Sequence, residues 1–291
     1  MKKFKLEKEY ARMKISQYLR EVQNYSGRSL RNVEVFLNGK QVRTTKKLPS
    51  GGILKVVEKK KGTDIEPIDL NIEVAYEDND ILVVNKTPFL LTHPTQKKAE
   101  FTLANGIVHY FLEKYGEKLV PRFYNRLDMN TSGLIIITKN SFSQAFLQNI
   151  SSIEKKYTAI VEGIVQEEGK IIIEKPIYKN GEQLQRTVDP RGQYAKTAVK
   201  VIKKKKKKNV TLVECELFTG RTHQIRVHLK SIGHPIVGDE LYGSGTDKEK
   251  GIKRQFLHAY RIKFTQPSKN EEIEVEIPIF KDMEDFLEAE K

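Results

Sequence analysis

The chain of 291 residues holds a single cysteine, Cys215. One thiol excludes an internal disulfide and a cysteine metal cluster, and suits a reducing cytoplasm. Cys215 falls in the alternating stretch 210–218 and reads as a small buried apolar residue. Six histidines are scattered through the chain, and His223 and His228, five apart, do not share a helix face, so no metal site is expected. Long apolar runs are missing as well. Nothing approaches the roughly 18 consecutive apolar residues of a membrane-spanning helix, and residues 1–9 are too charged for a signal peptide. Glycines form neither a dinucleotide fingerprint nor a Walker loop, and no serine sits in a nucleophile elbow. The expectation is a soluble, intracellular protein with no cofactor, no membrane partner and no evident need of an obligate protein partner.

What is present is charge. Apolar residues make up 38% and charged ones 31%, with a net charge of +14. That allows a packed core under a surface suited to a polyanion, nucleic acid first and acidic membrane second.

Residues 1–58 read as a small basic unit. Ile15, Leu19 and Val22 fall at helical spacing, with Tyr18 on the same face. A strand over 33–37 then meets Asn38-Gly39, the strongest two-residue hairpin signal, and residues 53–57 close the unit. Residues 59–70 form a charged linker, and 71–291 the larger domain. In that domain, strands are expected at 73–76, 81–85, 157–161, 170–174, 198–202, 210–218 and 271–277. Helices are expected over 102–115 and from Ser141, which should cap a face of Phe142, Phe146 and Ile150. Six lysines, 203–208, belong at a hairpin tip.

Residues 125–138 carry the chemistry. Asp128 lies on a polar loop, between Arg126 and the hydroxyls of Thr131 and Ser132, that runs directly into the apolar strand 134–137. A strand buried on both faces makes a rigid mount for a loop carboxylate, and the hydroxyls can satisfy loop backbone groups. In isolation, the same residues also fit an Asp that closes a turn and pairs with Arg126. Downstream, Thr222 is a candidate cap for a helix whose stripe is Ile225, Leu229 and Ile232, with Arg226 one position off at the rim.

Several phrases in order resemble the RluA/RluD-type RNA pseudouridine synthases: Arg126-Leu-Asp-Met-Asn-Thr-Ser-Gly-Leu134, Lys156-Tyr157, Ala195-Lys-Thr197, Thr219-Gly-Arg-Thr-His-Gln-Ile-Arg-Val-His-Leu229, Gly233-His-Pro-Ile-Val-Gly-Asp239 and Leu257-His-Ala259. The resemblance runs from about residue 72 to the carboxyl end. It implies an α+β catalytic domain built on a mixed, largely antiparallel sheet with flanking helices, and isomerisation of uridine in RNA to pseudouridine without cofactor or metal. The amino-terminal helices and Asn-Gly hairpin resemble the small α/β RNA-binding domain named after ribosomal small-subunit protein four.

Carried onto this chain, the resemblance makes Asp128 the catalytic carboxylate and Arg226 its partner. Tyr157 becomes the ring that stacks on the target base, and Ile225 part of the pocket wall. Arg126 fills the gap left by the flipped nucleotide. Arg28, Arg31, Lys40 and Arg43 of the first unit would contact RNA. Ribosomal RNA is the expected substrate and transfer RNA the second. The rival reading is a catalytically silent RNA-binding or ribosome-assembly factor. Two departures stand out: Asn125 replaces the histidine common before Arg-Leu-Asp, and Lys86-Thr-Pro-Phe89 replaces Lys-Pro-x-Gly.

Overall fold

The computed structural model describes residues 2–58, 62–93, 101–149, 153–247, 249 and 251–289. Lys59, Lys60 and Lys61 of the expected linker, Ile150 of the expected helix face and the side chain of Arg28 lie outside the described residues.

The amino-terminal segments are β1 (Lys2–Leu6), α1 (Ile15–Glu21), α2 (Gly27–Leu30), β2 (Val33–Leu37), β3 (Lys40–Val42) and β4 (Gly52–Glu58). Their strands pair antiparallel in the order β1-β4-β2-β3. Asn38 and Gly39 both take positive φ, 50° and 85°, which is what a two-residue hairpin between right-twisted strands requires. The alternation of β2 turns Val35 and Leu37 onto Ile15, Tyr18 and Leu19 of α1.

The rest of the chain continues with β5 (Glu73–Glu77), β6 (Ile81–Lys86), α3 (Leu103–Tyr115), β7 (Arg122–Phe123), β8 (Ser132–Thr138) and α4 (Ser141–Asn149). Next come β9 (Glu154–Glu162), β10 (Lys170–Glu174), β11 (Ile177–Lys179), β12 (Arg186–Val188), β13 (Lys196–Lys205) and β14 (Val210–Leu217). The chain closes with α5 (Gln224–Lys230), β15 (Leu257–Thr265), β16 (Glu272–Glu276) and α6 (Lys281–Glu288). Ten strands form one sheet, β10-β13-β14-β9-β15-β8-β6-β5, with β16 added to β15 and β7 to β8. Among the described strands only β15 and β8 run parallel, so the sheet is mixed and largely antiparallel, as the sequence resemblance implied. The hairpin β11–β12 stands apart from it.

Strand β8 is buried at every position. Ile135 and Ile137 face the core under α3, with Leu103, Ile107 and Phe111. Leu134 and Ile136 face a second cluster with Leu147 of α4 and Phe264 of β15. A strand covered on both faces has little freedom to move, and it carries the Asp128 loop at its leading end. Phe142 of α4 also enters the core of the amino-terminal sheet, against Tyr25 at 5.1 Å.

Register then sets the site. Ala259 of β15 pairs with Tyr157 of β9 on one side and Gly133 of β8 on the other. Tyr157 and the end of the Asp128 loop are therefore two strands apart in one row. Gly133 is required there: its φ is +116°, and a Cβ would lie 2.3 Å from the Ala259 carbonyl oxygen.

Two local expectations are corrected. Ser141 is the first residue of α4 rather than its cap; Asn140 caps it, accepting the Ser143 N–H at 2.8 Å. Of the lysine run, 203–205 extend β13 and only Lys206–Lys208 form the turn.

Candidate active site

Asp128 opens a turn closed by the Thr131 N–H on its carbonyl at 3.0 Å. The next two carbonyls are held by buried basic side chains. Lys86, 1% exposed, donates to Met129 O at 3.0 Å and to Thr87 O and Leu90 O at 2.8 and 2.9 Å. Arg254, fully buried, donates to Asn130 O at 3.2 Å and forks onto Asp282 of α6. Burial pulls the Lys86 ammonium down to about 7; the Arg254 charge adds to this and the Asp128 charge opposes it. Thr131 and Ser132 bond side chains rather than loop backbone: Gln255 at 3.3 Å and His258 at 2.9 Å. Asn125, the residue standing where histidine is common, accepts from Ile136 N–H at 2.8 Å and donates to Leu134 O at 3.3 Å. The amide thus stitches the loop to β8.

Arg226 is only 5% exposed, which corrects its expected place at the rim. Stripe arithmetic ranks helix positions by apolar neighbours and does not see a buried acid outside the helix. That acid is Asp239, which takes Nε and Nη2 at 2.7 and 2.8 Å while Nη1 reaches Asp128 Oδ2 at 2.9 Å. Burial works to lower the guanidinium's basicity. The hydrogen bonds and charge of Asp239, then the charge and hydrogen bond of Asp128, outweigh it, so the group is held more basic than an ordinary arginine. The pairing also answers the local alternative: Asp128 pairs with Arg226, ninety-eight residues on, and not with Arg126.

The start of α5 differs from expectation as well. Thr222 is exposed, and the cap position belongs to His223, at φ 57° and with no capping hydrogen bond from its side chain. Gln224 closes the turn instead, its Oε1 accepting from Arg221 N–H and Thr219 Oγ1 at 3.0 and 2.8 Å.

A cavity of about 410 Å³ opens over these groups, and Arg126, Asp128, Tyr157, Ile225 and Arg226 all line it. Asp128 Oδ2 is engaged by Arg226; Oδ1 has no hydrogen bond among the described residues. Tyr157 is 6% exposed, part of the main core and also of this wall. Burial pushes its phenol up, with the Asp128 charge adding. Lys40 on β3, Arg31 in the turn before β2 and Arg43 just past β3 are exposed and do not line the cavity.

Other residues at the site carry no sequence signal beyond a place in a resembling phrase, and Tyr242 not even that. His223 lines the cavity with Nε2 3.8 Å from Asp128 Oδ2, and Tyr242 covers Arg226 with its ring 5.0 Å from the guanidinium carbon. Asp239 ends a phrase of the sequence resemblance, which was its one available marker. A second, basic hollow of about 360 Å³, with Tyr178, Lys179, Arg186 and Arg191 in its wall, shares Arg221 and Thr222 with the first. Among the described residues, no group of three or more His, Cys, Asp or Glu is placed to hold a metal, and no helix is long and apolar enough to cross a membrane.

The model of the RNA pseudouridylate synthase family matches residues 80–231. The chain is 38% identical over 236 residues to the uncharacterized RNA pseudouridine synthase YhcT of Bacillus subtilis, covering 79% of this chain and 76% of the relative. It is 32% identical over 234 residues to the ribosomal large subunit pseudouridine synthase D of Zymomonas mobilis, covering 75% and 73%. The solved structure of human RNA pseudouridylate synthase domain containing 1 superposes with a TM-score of 0.57 at 26% identity, over 75% of this chain and 86% of that one.

Proposed function

The chain belongs to the RNA pseudouridylate synthase family, and on that footing we propose that Asp128 is the carboxylate that starts the isomerisation of uridine in ribosomal RNA. The reaction breaks the N1–C1′ bond, turns the uracil and joins C5 to C1′; N1 gains a proton and C5 releases one. The observation that carries the assignment is the joint of Asp128 and Arg226, 2.9 Å apart in the wall of the same cavity as Tyr157. Arg226 fixes one carboxylate oxygen, leaving Oδ1 to meet the sugar, either attacking C1′ or removing a sugar proton. Tyr157 offers a flat ring against which a detached base can turn. Ile225 adds an apolar wall, and Arg126 takes the space the flipped nucleotide leaves.

The amino-terminal unit, 1–58, is an RNA-binding domain in this reading, joined through 59–70 to the catalytic domain 71–291. Its exposed Arg31, Lys40 and Arg43, with Arg28, contact phosphates, as do the basic residues of the second hollow. Ribosomal RNA is favoured by the names of relatives such as the ribosomal large subunit pseudouridine synthase D of Yersinia pestis, 31% identical over 276 residues. Transfer RNA is the second substrate to test. The cytoplasm is the proposed compartment, which suits a free, buried Cys215.

Release of tritium from RNA labelled at C5 of uridine is the direct test. Wild-type protein is expected to turn over, and Asp128→Asn to bind the same RNA without releasing tritium. Equal release by that variant would remove Asp128 from the chemistry.

A further inference from the structure

We propose that His223 is a positioning residue for this reaction. Tyr242 holds its imidazole with the proton on Nε2, turned toward Asp128, so that His223 and Arg226 together claim one carboxylate oxygen and leave the other for the nucleoside. The proposal rests on the assignment of Asp128 made above.

The tautomer follows from the hydrogen bonds. The Tyr242 hydroxyl is buried and accepts the backbone N–H of Arg186 at 2.7 Å. Among the described residues its own proton has one acceptor within reach, His223 Nδ1 at 2.9 Å. An Nδ1 that accepts leaves the proton on Nε2. That nitrogen stands 3.8 Å from Asp128 Oδ2, the oxygen already bonded to Arg226 Nη1. At that distance no hydrogen bond is made in the free protein, and catalytic hydrogen bonds commonly tighten only when substrate docks.

Burial lowers the basicity of His223. The charges of Arg226 and Arg186 lower it further, while those of Asp128 and Asp239 oppose them. The ring is therefore neutral near pH 7, with one proton to place. A helix-capping role does not account for the residue, because its side chain makes no capping bond. Its backbone stands at φ 57°, in the left-handed region. A chain of hydrogen bonds thus runs from the backbone of β12 through Tyr242 to His223, whose other ring nitrogen faces the carboxylate.

The experiment compares wild type, His223→Gln and His223→Leu in tritium release, with RNA affinity measured separately. Nitrogen-15 spectra of the wild-type imidazole report the tautomer. Expected are a protonated Nε2 in the spectrum and a kcat lowered about 10- to 100-fold in His223→Leu at unchanged RNA affinity, the scale of a small misplacement of a catalytic group. His223→Gln, whose amide can donate from a similar distance, should recover kcat to within about fivefold of wild type. If the leucine variant does not fold, His223→Asn, a donor too short to reach, replaces it and should be as slow. A protonated Nδ1, a leucine variant as fast as wild type, a glutamine variant as slow as leucine, or a loss confined to KM would each overturn the proposal. Wild-type protein that releases no tritium would instead count against the isomerisation on which the proposal rests, and the spectrum would still decide the tautomer.

Discussion

Arg226 and Asp239 are joined by two parallel hydrogen bonds of 2.7 and 2.8 Å, and the side chain of Asp239 is wholly out of solvent. The fork fixes the guanidinium plane, and the plane decides where Nη1 meets Asp128. Asp239→Asn keeps the shape and removes the charge, which leaves Arg226 buried beside a neutral amide. Losing one partner of such a pair costs about 3–5 kcal/mol. Chemical denaturation is expected to show a loss of that order, and single-turnover tritium release a fall of at least about 100-fold. Unchanged melting and turnover would mean that Asp239 does not hold the site together. Arg226→Lys is expected to fold better but to remain slow, because an ammonium cannot serve both acids in one plane.

The parts of the site that could be read from the sequence are those in which a short phrase places its own residues. Asp128 and Arg126 lie on one loop, and Ile225 and Arg226 on one helix; the structure brings all four, with Tyr157, to one cavity. The strand behind Asp128 was legible because a short β-branched run after Gly133 has few other ways to fold. What could not be read depends on partners distant in the chain. The burial of Arg226 is set by Asp239, thirteen residues on, and the tautomer of His223 by Tyr242 and the backbone of Arg186. The two misplaced caps have a different, local origin. Local preference favoured Ser141 and Thr222, whereas the observed turns are closed by Asn140 and Gln224, each bonding another residue of its own turn.

Lys86 gives a pH signature. Its ammonium is pulled to about 7 in the folded chain from 10.5 when free. The unfolded state therefore binds more protons between those values, and stability rises with pH across them. The contribution is complete above 10.5, is lost as pH falls through about 7, and is flat below that. Lys86→Met removes the titration, so the difference in unfolding free energy between wild type and variant should grow from pH 7 to pH 10 in favour of wild type. A difference independent of pH would show that the lysine is not desolvated as the structure has it.

Salt dependence tests the amino-terminal contacts. Arg31, Lys40 and Arg43 are exposed and away from the cavity, so replacing them should leave the chemical step alone. Each phosphate contact on single-stranded RNA contributes roughly 0.7 to the slope of log affinity against log salt. The triple alanine variant is expected to bind with a slope shallower by about 2 and to reach the wild-type kcat at saturating RNA. A slope unchanged between about 50 and 200 mM salt would place the RNA elsewhere.

Tyr157 separates the roles of ring and hydroxyl. Its phenol is pushed up by burial and by the charge of Asp128, so at neutral pH it keeps its proton and makes a poor base. If the ring alone matters, as a surface on which the uracil turns, Tyr157→Phe should retain kcat to within about tenfold, while Tyr157→Leu, which removes the flat face, should lose about 100-fold or more. Stability is a necessary control, because the residue is 6% exposed and pairs with Ala259 in the centre of the sheet; a buried aromatic cut to leucine costs on the order of 1–3 kcal/mol. Tritium release at a temperature where both variants stay folded is the measurement. A phenylalanine variant as slow as the leucine one would show that the hydroxyl, and not the ring alone, is needed.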